Sequence, residues 1–376
     1  MLQSNTLQKK LTLLPKRILF LIVTISAIGM LLMYDASVGS ISATLKKQLL
    51  YFILFLPVMF LFALVDIKFL FNVSYYIYAV SLALLIVGSF FGYKAMGAVR
   101  WMDIGIFRFQ PSELMKIGVV LAFARYFHSI GSDKTNKLRS LIIPIMLGAI
   151  PLVIILKQPD LGTAIVIGII SAVMFFLAGV NISKFFVAIA SFAVSAPFVW
   201  SHLHDYQKKR ILIFFDPERD PLGAGYNIIQ SKIAIGSGGL FGKGRLESTQ
   251  SKLDFLPEHQ TDFIFPLFAE KFGFLGSMIL LLLYFILMLE VCYVGTNCKS
   301  FFGKLTVFGL ISIFTTHIFI NLGMVMGLMP VVGIPLPLIS YGGSALGTTM
   351  IAFGIIINID LNNQTRIAHN RLGYLS

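Results

Sequence analysis

The feature that most constrains this chain is a series of ten apolar runs, each long enough to cross a bilayer as a helix. A helix rises about 1.5 Å per residue and the hydrocarbon core is ~30 Å thick. The runs cover roughly residues 17–37, 47–65, 73–93, 111–128, 140–157, 161–180, 182–201, 266–293, 303–328 and 341–361. Charged residues make up 12% of the chain, against roughly 25% in soluble domains. The sequence therefore predicts an all-α polytopic membrane protein, with residues 1–376 forming a single integral membrane domain.

One long polar segment, at about 202–265, separates the seventh predicted helix from the eighth. With the N-terminus inside, fourteen Lys and Arg residues fall in cytoplasmic segments and seven in the short outer loops and adjoining helix ends. Cytoplasmic loops carry the excess of Lys and Arg in membrane proteins. Both termini are therefore predicted to be cytoplasmic, and the long segment extracytoplasmic. Turn signals such as Asp216-Pro217 indicate that this segment is an ordered loop with short helical pieces.

The formal net charge of +13 does not indicate nucleic-acid binding here, because positive-inside loops and contact with anionic membrane lipids account for it. Cys292 and Cys298 are spaced neither as a redox pair nor as metal ligands. The glycine-rich run 236–244 resembles a phosphate-binding loop. However, Ser237 stands where the first Gly belongs, and Gly244 stands where a Ser or Thr would bind magnesium. We expect a flexible connector at this run.

Two carboxylates close the long polar segment at the point where water gives way to hydrocarbon. Glu258 and Asp262 stand four residues apart and lead directly into the eighth apolar run. A carboxylate partly removed from water suits the role of a general base. Thr261 and Asp262 are also residue types that begin helices. The local residues therefore leave helix capping and catalysis as equal alternatives.

Further ionisable residues lie in or beside the predicted helices, where charge is costly and usually functional. Gln110 precedes Pro111, which suits the first turn of a helix. Glu113 and Lys116 follow three residues apart on one face of that helix, so they can pair. A purely structural ion pair is the alternative. Asp160 lies in a short turn between the fifth and sixth helices, on the same predicted outer face.

Other polar residues near the outer face have simpler structural interpretations. Arg100 beside Trp101 could hold the phosphates of a lipid ligand, but both residue types also anchor proteins at the membrane interface, and these residues alone favour anchoring. Three prolines and three glycines in the last outer loop exclude a regular helix. Ser340 therefore lies in rigid, irregular backbone, which is tolerated beside a cavity. His317 and Asn321 share a helix face, where interhelical hydrogen bonding is expected.

Four motif-bearing blocks follow one another along nearly the whole chain. They are Gly97 to Lys116, Gln158 to Thr163, Gly236 to Phe265 and Pro330 to Ser344. In this order, within a ten-helix chain, the blocks resemble the SEDS family (shape, elongation, division and sporulation) of membrane proteins. Gly242-Lys243-Gly244, Ser248-Thr249-Gln250-Ser251 and Pro330 to Pro337 make the chain more similar to the elongation member of that family than to its division member.

The resemblance implies a peptidoglycan glycosyltransferase that polymerises lipid II on the outer face of the bacterial cytoplasmic membrane during cell elongation. It implies a class B penicillin-binding protein as partner, help from a divalent cation (Mg or Mn), and no organic cofactor. The family's essential acid falls on Asp262, which we expect to be the catalytic base. The residues expected around the substrate are Arg100, Trp101, Gln110, Glu113, Lys116, Asp160, Glu258 and Ser340.

The chain departs from the family pattern at three places. Gln260 stands where a His commonly precedes the Thr-Asp pair, Glu270-Lys271 replaces a Glu-Glu pair, and Ala345 replaces a second Ser. None of these changes removes Asp262. Ten helices with an intramembrane ion pair would also suit a lipid II flippase, and a non-catalytic scaffold for wall enzymes is a further alternative. Carboxylates on a long outer loop favour chemistry at the outer face over transport near the midplane.

Overall fold

The computed structural model describes residues 10, 12–36, 42–95, 98–103, 105, 108–131, 134–202, 205–220, 223–244, 260–365 and 367. Twelve α-helices lie within these ranges. They are α1 (Lys16–Ala36), α2 (Ala43–Leu64), α3 (Ile67–Phe91), α4 (Pro111–Ile130), α5 (Leu138–Lys157), α6 (Leu161–Leu177), α7 (Ile182–His202), α8 (Asp205–Phe215), α9 (Ala224–Ser237), α10 (Ile264–Asn297), α11 (Phe301–Val325) and α12 (Gly343–Leu361).

Ten of these helices, α1 to α7 and α10 to α12, coincide with the ten predicted runs to within six residues at each end. Seven of the ten are long and apolar enough to cross a membrane by length and composition. The predicted class, an all-α polytopic membrane protein, is confirmed. The predicted short helical pieces of the long polar segment between α7 and α10 are present as α8, α9 and a 3-10 turn at Pro217–Arg219.

A small sheet that the sequence did not predict lies between α3 and α4. It consists of β1 (Tyr93–Ala95), β2 (Ala98–Asp103) and β3 (Arg108–Phe109), which pair antiparallel in the order β1-β2-β3. The strands are too short for an alternating pattern to stand out, and strands of this length form only by pairing with each other. β2 packs against both α3 and α4, so the sheet lies beside the first turn of α4.

The centre of the bundle is formed by α4, α11 and α12. Nearly every residue of α4 is buried, including Glu113 and Lys116. α4 packs on α3, α6 and α11, while α12 packs along α2. Polar side chains on these central helices are removed from both water and lipid, so they must be stabilised by one another.

The glycine-rich run after α9 is docked onto a break in α10, so the prediction of a flexible connector is wrong. Gly273 has φ +66° and interrupts the helix. The run supplies hydrogen-bond partners around this break. Lys243 N donates to Glu270 O at 3.0 Å, and Phe274 N donates to Gly239 O at 2.8 Å. An interrupted helix leaves backbone groups unpaired, and the run satisfies some of them.

Two ion pairs surround the same break. Lys243 Nζ lies 3.7 Å from Glu270 Oε1, and Lys271 Nζ lies 3.3 Å from Asp35 Oδ2 on α1. Glu270 and Lys271 are both buried. Each member of the unusual Glu270-Lys271 pair therefore has an opposite charge supplied by another part of the chain.

Candidate active site

The predicted catalytic residue lies immediately before α10. Asp262 is half-buried, and the residues on its C-terminal side are buried. Phe263 occupies the N-cap position of α10 and makes no side-chain capping hydrogen bond. Asp262 therefore does not occupy the N-cap position, which weakens the capping alternative for its carboxylate.

Three successive backbone carbonyls in this segment each accept a hydrogen bond from a distant part of the chain. Gln260 O accepts from Tyr341 N at 2.9 Å. Thr261 O accepts from Ser340 Oγ at 2.6 Å, and Asp262 O accepts from Asn321 Nδ2 at 2.8 Å. Hydrogen bonds between polar backbone groups and a rigid scaffold fix a loop in one conformation. The segment that carries Asp262 is held in this way at three consecutive residues.

Glu113, Lys116 and His317 form a buried polar cluster between α4 and α11. Lys116 Nζ lies 2.6 Å from Glu113 Oε1 and 2.8 Å from His317 Nε2. An ammonium has only donors, so Nε2 of His317 is the acceptor. Glu113 also lies in the first turn of α4, where a negative charge is favoured. The pairing predicted from the i, i+3 spacing is present, whereas the contact with His317 was not predicted.

This cluster lies about one helical turn along α11 from Asn321, the residue that holds the carbonyl of Asp262. His317 and Asn321 are four residues apart, which corresponds to a rise of about 6 Å. A narrow, partly open cleft lies between α4, α11 and α12. Glu113 and His317 line it together with Pro337, Thr348 and apolar side chains. Among the described residues that line this cleft, Asp262 does not appear.

Gln110 and Asp160 meet where three helices begin. Gln110 Nε2 donates to Asp160 Oδ2 at 3.1 Å, and Gln110 N donates to Ser344 Oγ at 3.0 Å. Asp160 also caps α6 by accepting from Thr163 N at 3.2 Å. These contacts tie the starts of α4, α6 and α12 together. Sequence reasoning identified both Gln110 and Asp160, but it did not indicate that they bind each other.

Ser340 lies in the predicted irregular segment before α12, and its hydroxyl has two backbone partners. It donates to Thr261 O and accepts from Leu336 N at 2.7 Å. The neighbouring Tyr341 is partly buried. Burial first, and then a hydrogen bond with Tyr51, raise the pKa of Tyr341 to about 12. Its phenol therefore stays protonated near neutral pH and can donate a hydrogen bond.

Three other predicted site residues are described in part or not at all. Trp101 lies on β2, half-buried and paired in register with Tyr93. Arg100 lies on the same strand, and its side chain is outside the described part of the structure. Glu258 lies outside the described residues. The roles assigned to these three residues stay predictions.

The residues that the structure describes do not form a resident metal site on their own. Within the described ranges, no group of three or more His, Cys, Asp or Glu side chains could hold a metal ion. Glu113 is already paired with Lys116. Mg²⁺ is often bound by one or two carboxylates together with substrate phosphates. A single carboxylate such as that of Asp262 suits a cation that also binds the phosphates of the substrate. It suits less well a cation that the protein would hold without substrate.

The protein combines membrane-spanning helices with a buried ion pair at their centre and with Asp262, whose backbone carbonyl is held by Asn321 before α10. These features define a multi-pass membrane protein with a polar site. The chain belongs to the FtsW, RodA and SpoVE family, described as cell cycle protein, whose profile matches residues 15–365. The resemblance to the SEDS family is thereby confirmed. The apolar helices and the bacterial relatives make this chain a multi-pass protein of the bacterial inner membrane.

Individual relatives support the same assignment. The peptidoglycan glycosyltransferase MrdB of Escherichia coli K12 is 45% identical over 290 residues, which cover 77% of this chain and 78% of MrdB. A chain from a peptidoglycan synthase complex that coordinates polymerization and crosslinking superposes with a TM-score of 0.81 at 30% identity, covering 93% of this chain and 98% of that one. Rod shape determining protein RodA of Thermus thermophilus gives a TM-score of 0.70 at 27% identity, covering 93% and 97%.

Proposed function

We propose that this chain is a peptidoglycan glycosyltransferase that polymerises lipid II into glycan strands on the outer face of the cytoplasmic membrane during cell elongation. The identity to MrdB and the fold shared with a peptidoglycan synthase support this activity. The observation that carries the proposal is the half-buried Asp262, whose backbone is braced by Asn321 before the first turn of α10. A carboxylate fixed at the boundary of water and hydrocarbon suits a lipid-linked sugar substrate.

In the proposed reaction, the 4-hydroxyl of one lipid-linked sugar attacks C1 of a second. The new bond between C1 and this oxygen forms as the bond from C1 to polyprenyl pyrophosphate breaks, and the hydroxyl proton passes to the carboxylate of Asp262. A general base typically contributes ~10²–10⁴-fold in rate. Attack from the side opposite the leaving group inverts C1, so an α-linked donor gives a β-linked glycan.

The leaving pyrophosphate requires positive charge. Lys116 is already engaged by Glu113 and His317, and its side chain is 1% exposed. We therefore assign Lys116 to the organisation of the site and propose Arg100 on β2 as the protein cation nearest the leaving group. Trp101, Gln110, Asp160 and Glu258 stay proposed members of the substrate site. The hydroxyl of Ser340, first expected there, is engaged by Thr261 O and Leu336 N, so we propose that Ser340 supports the segment that carries Asp262.

A divalent cation, Mg²⁺ or Mn²⁺, is proposed to arrive with the pyrophosphate of the substrate. Its chemistry would be to neutralise negative charge on the leaving group. Chelation should then lower the polymerisation rate without lowering the melting temperature of the protein, because the cation is proposed to bind with the substrate and not to form part of the fold. A loss of thermal stability on chelation would contradict this proposal and indicate a structural metal instead.

We further propose a class B penicillin-binding protein as partner, with both termini in the cytoplasm. The related synthase complex, which coordinates polymerization and crosslinking, supports the partner. The excess of Lys and Arg in the predicted cytoplasmic segments supports the orientation. Cysteine labelling of single-cysteine variants with a membrane-impermeant reagent would test the orientation, and polymerisation with and without the partner would test the coupling.

The activity is tested with purified protein in vesicles and fluorescent lipid II. Wild-type protein should produce glycan polymer, and Asp262→Asn, which keeps the shape of the side chain but removes the base, should reduce the rate by at least about 100-fold. Asp66→Asn is the matched control, because Asp66 caps α3 and Asn caps helices equally well. Normal polymerisation by Asp262→Asn would refute the assignment of the base.

The same experiment separates the alternative functions. Movement of lipid II across the vesicle membrane without polymer would indicate a flippase. Neither polymer nor movement, with or without the partner, would indicate a scaffold. The ion pair of Glu113 and Lys116 is compatible with transport, but the half-buried Asp262 at the start of α10 favours surface chemistry.

A further inference from the structure

The side-chain amide of Asn321 joins the segment of the proposed base to the last outer segment. Asn321 is 0% exposed, and its Nδ2 donates to Asp262 O at 2.8 Å and to Ile334 O at 2.7 Å. An Asn amide has two donor hydrogens, so both are used, one on each segment. We infer that Asn321 is a positioning residue that sets the orientation of the Asp262 carboxylate. This inference rests on the proposed function, in which Asp262 is the base.

The second segment held by Asn321 also limits where the Asp262 carboxylate can lie. Gly333 precedes Ile334 and has φ +73°. A Cβ added at Gly333 would lie 3.2 Å from Asp262 Oδ2. Ile334, whose carbonyl accepts the second hydrogen bond from Asn321, therefore directly follows Gly333, the residue that lies beside the carboxylate of Asp262. One buried amide fixes both the main chain of the base and the surface beside its side chain.

These contacts fix the main-chain position from which the carboxylate extends. An Asp side chain has only two rotatable bonds, so a displacement of its Cα displaces its oxygens as well. Hydrogen bonds from Ser340 and Tyr341 hold the two preceding carbonyls. A displacement of about 1 Å at a reacting group can cost ~10²-fold in rate. Loss of the Asn321 amide should therefore reduce catalysis even though Asn321 touches neither substrate nor reacting atoms.

A second buried asparagine offers a matched control for the structural contribution of such an amide. Asn358 on α12 is also 0% exposed, and the two N–H groups of its Nδ2 are shared among the backbone carbonyls of Phe62, Ala63 and Val65 at the end of α2. It lies at the opposite end of the bundle from Asp262 by helix direction. Asn358→Leu therefore removes a comparable buried amide without touching the catalytic segment.

The test measures kcat and KM for lipid II polymerisation, together with melting temperature, in full-length protein. Asn321→Leu should lower kcat by ~10–100-fold while KM changes by less than about three-fold. Asn358→Leu should lower the melting temperature to a similar degree but keep kcat within about two-fold of wild type. Equal loss of kcat in both variants, or wild-type kcat in Asn321→Leu, would overturn the inference.

Ser340→Ala keeps the inference testable if Asn321→Leu does not fold. It removes the hydrogen bond to the carbonyl that precedes Asp262, so kcat should fall at least about three-fold with little change in KM. A rise in KM at constant kcat would instead assign Ser340 to substrate binding and overturn the positioning scheme. Failure of wild-type protein to polymerise, or full activity of Asp262→Asn, would overturn the proposed function itself. If the wild type is active and Asp262→Asn is inactive, the proposed function stands, and the result for Asn321→Leu then tests the inference about Asn321 alone.

Discussion

The ammonium of Lys116 lies 2.6 Å from the carboxylate of Glu113 inside the helix bundle, with side-chain exposures of 1% and 8%. Both charges have left water, and each compensates the other. A buried ion pair is costly to assemble, and removing one partner leaves an isolated buried charge. His317 adds an acceptor for the same ammonium.

Breaking this pair from one side should destabilise the protein more than removing it altogether. We expect Glu113→Gln or Lys116→Met alone to lower the free energy of unfolding by about 3–5 kcal/mol, because each leaves an uncompensated charge. The double variant should be more stable than either single variant. Unfolding in mixed detergent micelles gives the free energy of unfolding of the wild type, the two single variants and the double variant. A double variant whose loss of stability equals the sum of the two single losses would contradict this account.

The contact between Lys116 and His317 predicts a difference between two substitutions of the histidine. His317→Leu removes the acceptor and should lower the free energy of unfolding by about 1.5–3 kcal/mol, the usual contribution of a hydrogen bond to a charged group. His317→Gln retains an acceptor oxygen and should recover part of that loss. Equal stability of the two variants would show that the observed contact of 2.8 Å does not stabilise the fold.

A single methyl group added at Gly333 is expected to lower kcat, because Gly333 lies beside the carboxylate of Asp262. Gly333→Ala must place a Cβ about 3.2 Å from Asp262 Oδ2, and the left-handed backbone costs an alanine roughly 1–2 kcal/mol. The carboxylate must shift by a few tenths of an ångström, and kcat should fall by about three- to ten-fold. Gly179→Ala is the control, because Gly179 has φ +87° and an added methyl group would have no atom within 4 Å. Equal kcat in both variants would argue against a positional effect.

The ion pair between Lys271 and Asp35 predicts that the stability of the protein depends on the sign of the charge at position 271. Lys271→Glu places a second carboxylate beside Asp35, whose Oδ2 lies 3.3 Å from the ammonium of Lys271, so the melting temperature should fall. Combining it with Asp35→Lys restores opposite charges and should recover much of the loss. Recovery by Asp35→Asn to the same extent would indicate simple relief of repulsion rather than re-formation of the pair.

Local sequence patterns account for the helices and for the ion pair on α4. Apolar runs of helical length predicted all ten long helices, because a helix satisfies its own backbone hydrogen bonds wherever it lies in a bilayer. Glu113 and Lys116 could be paired from their spacing alone, since residues three apart share a helix face. The strands β1 to β3 were missed because they are short and are stabilised by one another.

Contacts between distant parts of the chain decided the rest of the site. The partner of Lys116 on α11 is 201 residues away in sequence, and the donor to Asp262 O is 59 residues away. A polar residue in an apolar helix indicated that His317 and Asn321 need partners, but no spacing rule identifies which carbonyl or ammonium each one meets. The docked glycine-rich run was missed for the same reason, because its partners lie across the break at Gly273.

The sequence by itself determined that this chain is a multi-helix membrane protein, and the resemblance of its motifs to the SEDS family singled out Asp262. The first conclusion depends on hydrophobic length and residue type, which are properties of short segments. Only the tertiary structure decided that Lys116 pairs with both Glu113 and His317, and that Asn321 and Ser340 brace the segment that carries Asp262. Buried polar groups must find partners wherever packing brings them together, and packing is a property of the whole fold.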